Sequence, residues 1–354
     1  MTASNPIVMN GRFLHQDMTG VQRYAHELLE RLRPDLRVVA PPGPLGAARG
    51  HLWEQAVLPR LCRGALLWSP GNTGPLACAN QVVTIHDAST LDHPEWFSGK
   101  FAMWYRFLLP RLARRVRKVI TVSEFSRREL VRLCGLPEEK VVAIHNGISP
   151  RFAPAPEEQQ AALRQRHGLE KPFVLYLGSL EPRKNVGALL AAWKNLAPRD
   201  CELVLAGAAS RIFRERGFAD LPPGTKLLGR VDDDELPALL SAAQAFAFPA
   251  LYEGFGFPPL EAMACGTPVL CSNTTSLPEV CGPAFDPADP TSSGAVLYFD
   301  PHNVDELTAQ LARALALDGA ARQSLAVRGR AQAARFTWDE CALRTAAVLR
   351  ELAS

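Results

Sequence analysis

Residues 249–269 read Pro-Ala-Leu-Tyr-Glu-Gly-Phe-Gly-Phe-Pro-Pro-Leu-Glu-Ala-Met-Ala-Cys-Gly-Thr-Pro-Val, and they place two carboxylates, Glu253 and Glu261, eight positions apart. The apolar run Ala245–Phe248 before them reads as a buried strand. Between the carboxylates, Gly254, Phe255, Gly256 and Phe257 form a loop that opens toward a helix expected over Leu260–Ala264. A strand, a glycine loop and a helix N-terminus gather backbone N–H groups around an anion. The glycines let the backbone come close to a ligand. Two carboxylates beside a phosphate suit a ligand that also carries hydroxyls, and a nucleotide sugar has both. A purely structural reading makes Glu253 a loop carboxylate and Glu261 a first-turn acid favoured by the helix dipole. It accounts for Glu261 but not for the loop.

A second cluster is Glu181-Pro182-Arg183-Lys184-Asn185, between the strand expected at Phe173–Leu177 and a helix from Val186. Such βα turns are where open parallel sheets bind ligands. Two cations at a helix N-terminus oppose its dipole, so an anion is expected to compensate them. Arginine clamps phosphate oxygens in pairs and lysine acts as a point charge. A solvated basic loop is the bland alternative. His86-Asp87 ends the strand Val82–Ile85, where a neutral imidazole could take or give a proton. It could equally be a histidine fixed in place as structure, with Asp87 orienting it or capping the next segment. His145 has a weaker claim. Asp232-Asp233-Asp234 contains an Asp-x-Asp, but with Glu235 it reads as a helix cap and first-turn acid. Thr19 reads as an N-cap before Gly20.

These residues need a framework. Short β-rich runs alternate with helical patterns throughout, the mark of parallel α/β sheets. The first half has strands at Ile7–Asn10, Val38–Ala40, Leu66–Ser69, Val82–Ile85, Val119–Val122 and Val141–Ile144, with helices over Gly20–Leu32, Phe101–Val116 and Ser126–Leu133. The second half restarts at Phe173–Leu177 and continues with Leu203–Ala206, Lys226–Leu228, Ala245–Phe248 and Pro268–Cys271, with helices at Val186–Leu196, Glu235–Ala243 and Val304–Leu317. The expected division is a domain over 1–150, a linker over 151–170, a domain over 171–335 and a terminal helix over 336–354. Thr337 and Glu340 form a capping box at the start of that helix. Pro283–Ser293 reads as an inserted surface loop.

At 354 residues two domains are the natural expectation. The composition, 47% hydrophobic and 21% charged, is that of a soluble globular protein. Neither a membrane span nor a signal peptide is read. Eight cysteines without a Cys-x-x-Cys pair suggest reduced, buried thiols in the cytoplasm. Residues 1–150 carry 19 Lys and Arg against 12 Asp and Glu, whereas the remainder carries 20 against 24. The excess gathers at Arg106, Arg111, Arg114, Arg115, Arg117 and Lys118. Either this is a solvated helix face, or it meets anionic lipid or a lipid-diphosphate acceptor. Nothing points to nucleic acid.

The chain resembles the retaining glycosyltransferases of family 4, the group 1 family, over nearly its whole length. The resemblance rests on Thr19-Gly20-Val21-Gln22-Arg23-Tyr24, His86-Asp87, Thr121–Ser126, Asn146-Gly147, Gly178–Asn185 and the Glu253…Glu261 stretch. It implies the GT-B fold: two Rossmann-like doubly wound domains facing a cleft, with the terminal helix crossing back to the first. It implies that Glu261 holds the ribose hydroxyls and that Glu253 binds a donor-sugar hydroxyl. Arg183 and Lys184 hold the diphosphate, and His86 lies near donor and acceptor. The backbone near Val231 reads the base, while Gly20, Gly254–Phe257 and Leu260 approach the donor. Ser179 stands where many members have arginine. The expected reaction moves a sugar, GDP-mannose being the first guess and a UDP-sugar next, to a hydroxyl of a glycan or lipid-linked acceptor. No cofactor or metal is expected. A nucleotide-sugar 2-epimerase of the same fold and a non-catalytic nucleotide-sugar-binding subunit are the alternatives.

Overall fold

The computed structural model describes residues 6–196, 200–207, 221–286 and 293–354. The chain divides into two compact units, one of residues 1–147 with 336–354, the other of residues 148–335. The stretch 151–170, read as a linker, carries the helix Glu157–Arg166 and falls in the second unit.

The first unit is built on six parallel strands: β1 (Ile7–Asn10), β2 (Leu36–Val39), β3 (Leu66–Ser69), β4 (Gln81–Thr84), β5 (Lys118–Thr121) and β6 (Val141–Ala143). Their spatial order is β2-β1-β3-β4-β5-β6, every pair parallel. β1, β3 and β4 are buried at every position, so their apolar residues fall in unbroken runs (residues 7–9, 66–68 and 82–83) and do not alternate with polar ones. The helix Gly20–Leu32 buries Tyr24, Ala25, Leu28 and Leu32, the 3.6-residue stripe of an amphipathic helix. The terminal helix Trp338–Ala353 packs on that helix and on β3. Its Thr337 side chain accepts from the Glu340 amide at 3.2 Å, as the capping box requires. Gly147 explains itself here. A Cβ on it would lie 2.0 Å from the Trp338 amide nitrogen, so only glycine lets the terminal segment pass.

The second unit has β7 (Phe173–Leu177), β8 (Glu202–Ala206), β9 (Thr225–Gly229), β10 (Ala245–Phe248), β11 (Val269–Ser272) and β12 (Val296–Phe299). Their order is β12-β11-β10-β7-β8-β9, again all parallel. This is the doubly wound dinucleotide-fold order, with its reversal between β7 and β10. Ligands of such sheets bind outside the carboxyl ends at that reversal. In the first sheet the reversal falls between β1 and β3.

Several elements differ from expectation. The helix after the glycine loop begins at Phe257, not Leu260, because Pro258 and Pro259 fit a first turn and cannot sit deeper. The helices Ala47–Ala56 and Gly319–Ala333 lacked a legible apolar period. Thr19 does not cap through its side chain; its hydroxyl bonds the Gln22 side chain instead. The basic run after Arg106 is not one face. Arg114 donates to the Cys134 carbonyl at 2.8 Å, Arg117 to Leu352 and Asn80, and Lys118 opens β5. Residues 287–292 of the expected insertion lie outside the described residues. Among the described residues no helix is long and apolar enough to cross a membrane.

Candidate active site

The reversal of the second sheet brings the two expected clusters together. The loop after β7 runs into a short 3-10 turn, Pro182–Lys184, and Asn185 then takes a left-handed conformation, φ 55°, before the helix Val186–Asn195. That turn aims Lys184 inward, where it is buried. The loop after β10 supplies Glu253, also buried. Lys184 Nζ donates to Glu253 Oε1, and Arg183 Nη1 lies 3.5 Å from the same oxygen. Arg183 also reaches Glu181 Oε2 at 3.2 Å through Nε and the Tyr252 carbonyl at 3.4 Å. The Leu251 amide donates to the Arg183 carbonyl at 2.8 Å, stitching the two loops by their backbones.

Burial holds the Lys184 ammonium below its ordinary pKa, with the Arg183 charge adding to that and Glu253 opposing it. Lys184 also lies 5.0 Å from the Phe248 ring centroid, a cation over an aromatic face. The arrangement sets two cations, Arg183 and Lys184, against two carboxylates, Glu181 and Glu253. A diphosphate would compete with Glu181 and Glu253 for the Arg183 and Lys184 donors.

The glycine loop is held rigidly. Gly256 has φ 102° and a Cβ there would lie 2.7 Å from Leu277. Ser276 Oγ lies 3.0 Å from the carbonyls of both Glu253 and Phe255, and the Glu253 amide donates to Thr275 Oγ1 at 3.3 Å. Sequence reasoning missed Thr275 and Ser276; their place just beyond the neighbouring strand β11 was the available signal. Prolines 258 and 259 carry no N–H, so in the first helical turn only Phe257 and Leu260 have an amide hydrogen at all. The amide anion site is therefore narrower than the sequence suggested. Glu261 is buried in the second turn. Val231 is buried, beyond the loop from β9. Asp232 makes no side-chain cap: the helix Leu236–Ala242 is capped at Glu235, whose carboxylate instead pairs with Arg166 and His167. Asp233 pairs with Arg151 at 3.2 Å.

The first unit carries His86 and Gly20. His86 is buried, and its Nε2 lies 2.9 Å from the Pro70 carbonyl. A carbonyl only accepts, so Nε2 carries the hydrogen and Nδ1 keeps its lone pair. Burial lowers the His86 pKa, which keeps the ring neutral. Tyr24 stands edge-on to it at 4.8 Å, and the His86 amide donates to Asn72 Oδ1 at 2.7 Å. Asp87 does not orient the imidazole; it takes the Ser89 amide and hydroxyl, the capping role. His145 packs edge-on to Phe336. Gly20 begins the helix Gly20–Leu32 and is exposed.

The chain is similar to known proteins. The description "Glycosyl transferases group 1" matches residues 159–332, and "Glycosyltransferase Family 4" matches residues 64–152. The chain is 35% identical over 280 residues to the O-antigen chain mannosyltransferase B of Escherichia coli, covering 75% of this chain and 68% of that protein. The chain belongs to the group 1 glycosyltransferases. This glycosyltransferase is also 32% identical to the serotype-specific mannosyltransferase WbdA of Escherichia coli, over 74% of the chain but only 32% of that longer protein. With the MMP alpha-(1->4)-mannosyltransferase of Mycolicibacterium hassiacum the figures are 31% identity, 75% of the chain and 64% of the relative. The fold of the glycosyltransferase matches Anabaena HepE, solved with UDP and glucose, at a TM-score of 0.75 and 18% identity, over 98% of this chain and 99% of that one. It likewise matches WaaG, a glycosyltransferase involved in lipopolysaccharide biosynthesis, at a TM-score of 0.71 and 18% identity, over 97% and 99% of the two chains. The fold is GT-B.

Proposed function

We propose that the enzyme moves mannose from GDP-mannose to a hydroxyl of a growing surface polysaccharide or its lipid-linked precursor, keeping the anomeric configuration. The observation that carries the donor class is the Arg183–Lys184–Glu253 cluster at the reversal of the second sheet. A diphosphate set there meets two cations, and a sugar hydroxyl meets a carboxylate. The preference for mannose draws on the relatives that bear that name.

In the proposed step the bond from the anomeric carbon to the diphosphate oxygen breaks. The bond from that carbon to the acceptor oxygen forms on the same face. The acceptor proton passes to the leaving phosphate. Arg183 and Lys184 stabilise the charge gathering on the diphosphate, and Glu253 steadies positive charge at the anomeric carbon. Glu261 holds the ribose, the backbone near Val231 meets the base, and the amides of Gly254–Phe257 and Leu260 approach sugar and phosphate. Within the first unit, Gly20 and His86 are the residues we assign to the substrates, His86 Nδ1 as an acceptor for a hydroxyl. The cations do the work that a metal does elsewhere, so we expect none to be required.

The acceptor side includes a surface. The helix Gly99–Arg115 exposes Phe101, Met103 and Phe107 among Lys100, Arg106 and Arg111. Apolar and basic side chains on one exposed helix suit the headgroup layer of an anionic membrane, making the enzyme a cytoplasmic protein with peripheral contact.

Incubation with nucleotide sugars labelled in the hexose, an α-mannoside acceptor, and NMR of the product's anomeric carbon tests the reading. Labelled α-linked product from GDP-mannose is expected. An epimerised donor, or binding without transfer, would replace it.

A further inference from the structure

The sequence offered Asp87 as the residue that orients His86, but Asp87 is taken up by Ser89. The His86 ring is held all the same, by the loop after β3, Pro70-Gly71-Asn72. Three contacts join that loop to β4 and to the residues just beyond it. The Asn72 amide donates to the Thr84 carbonyl at 2.9 Å, which ties the loop to the end of β4. The His86 amide donates to Asn72 Oδ1 at 2.7 Å. His86 Nε2 donates to the Pro70 carbonyl at 2.9 Å. An amide N–H only donates, so the Asn72 atom that meets it is the oxygen.

Asn72 makes these contacts from an uncommon backbone. Its φ is 65°, in the left-handed region, which glycine and asparagine enter far more readily than other residues. The turn brings its own amide and its own side chain to the end of β4 together. Strain of this kind gathers where function requires it. From other sides, Ser126 in the first turn of the helix Glu124–Cys134 donates to the His86 carbonyl at 3.3 Å, and Tyr24 stands edge-on to the ring. Every polar atom of His86 is thereby engaged except Nδ1. That atom makes no hydrogen bond among the described residues, and it is not closed off from solvent. The bond made by one imidazole nitrogen decides what the other can do.

We propose that Asn72 is the positioning residue of His86: it keeps the Pro70 carbonyl on Nε2, so that Nδ1 meets the substrates as an acceptor in a single tautomer. Loss of Asn72 Oδ1 leaves the His86 amide unpaired and releases the loop, and the proton then exchanges between the two ring nitrogens. The proposal rests on the glycosyl-transfer reading for the task of His86, not for its geometry.

The test separates the side-chain acceptor from the backbone turn. Asn72→Gly keeps the left-handed turn and removes the acceptor. Asn72→Ala removes the acceptor and strains the turn, whereas Asn72→Asp keeps both. In the glycine and alanine variants alike, kcat is expected to fall about tenfold, the weight of one hydrogen bond, and aspartate is expected to recover it. Melting temperatures should part instead, with alanine about 2–4 °C below glycine. KM for the donor and the thermal shift by GDP should stay at wild-type values. The direct readout is the 15N spectrum of the histidine rings in mildly alkaline buffer, with His86 identified by its loss in His86→Gln. A neutral imidazole held in one tautomer keeps its two nitrogen resonances far apart, and exchange between tautomers draws them together. A wide separation is expected in the wild type and in Asn72→Asp, and a narrowed one in Asn72→Gly. Unchanged separation and turnover in Asn72→Gly would overturn the proposal. So would a loss of turnover that follows melting temperature, with alanine far below glycine, or wild-type turnover in His86→Gln. A narrowed separation in Asn72→Gly, beside a wild type that transfers from no nucleotide sugar, would strike the glycosyl-transfer reading and leave the positioning standing.

Discussion

Lys184 and Glu253 are each other's main buried partner, so their substitutions must be read as a pair. Lys184→Ala leaves a buried carboxylate short of a cation, and breaking such a pair costs about 3–5 kcal/mol. The double variant Lys184→Ala/Glu253→Ala is therefore expected to be less destabilised than the two single losses added together. Urea midpoints in a double-mutant cycle measure this, and strict additivity would deny the pairing. In turnover, removing a positioned cation at developing negative charge is expected to cost about 100- to 1,000-fold. Glu261→Ala should chiefly raise KM for the donor and Glu253→Ala chiefly lower kcat, because a ribose is unchanged by reaction whereas the sugar gains charge. Steady-state kinetics that exchanged the two effects would exchange the two roles. His86 adds a pH signature. Its pKa is lower folded than unfolded, so the unfolded chain binds the proton more readily. Its contribution is present above the unfolded value of about 6.5 and is lost as pH falls through the folded one. His86→Gln is expected to flatten the fall in urea midpoint below neutral pH. At this scale the sequence exposed Arg183, Lys184, Glu253 and Glu261, since each sits beside a glycine- or proline-marked turn. It hid the pairing of Arg12 and Glu54, because they come from different elements and meet only once the first sheet is assembled.

Elements were legible where burial is uniform. β1, β3 and β10 are apolar at nearly every position, and their expected spans agree with the observed ones to the residue. The helix Ala47–Ala56 was invisible, because it buries only Gly50, Trp53 and Glu54, which give no apolar stripe. Gly256 marks a point where element geometry and chemistry coincide. Alanine there would need a left-handed backbone and collide with Leu277, so Gly256→Ala is expected to lose about 1–2 kcal/mol of stability and to weaken donor binding as well. Calorimetry with and without GDP separates the two effects. The helix Gly99–Arg115 carries a different expectation. Its solvent-directed residues, not Arg114, whose guanidinium is tied to the Cys134 carbonyl, are the ones to reverse. Arg106→Glu and Arg111→Glu together should release the protein from phosphatidylglycerol vesicles, since each basic residue at such a surface contributes about 1 kcal/mol. Sedimentation unchanged by the pair would leave the helix a solvated face.

For the whole molecule, alternation of strand and helix announced two parallel sheets, but not the order of their strands. That order depends on which side each crossover takes, and no local pattern records it. Two units, each with its own sheet, should melt in two steps, and GDP should raise only one of them, by linkage to the second unit. Scanning calorimetry checks this; a single transition displaced as a whole would show that the units unfold together. The terminal helix Trp338–Ala353 belongs to the first unit, although residues 148–335 are made in between. On the ribosome the second unit can therefore close as soon as its own residues have emerged. The first must wait with Tyr24 and β3 uncovered until the helix that packs over them has been translated. Nascent chains halted just after residue 335 should then hold a protease-resistant second unit beside a first that is still open to attack.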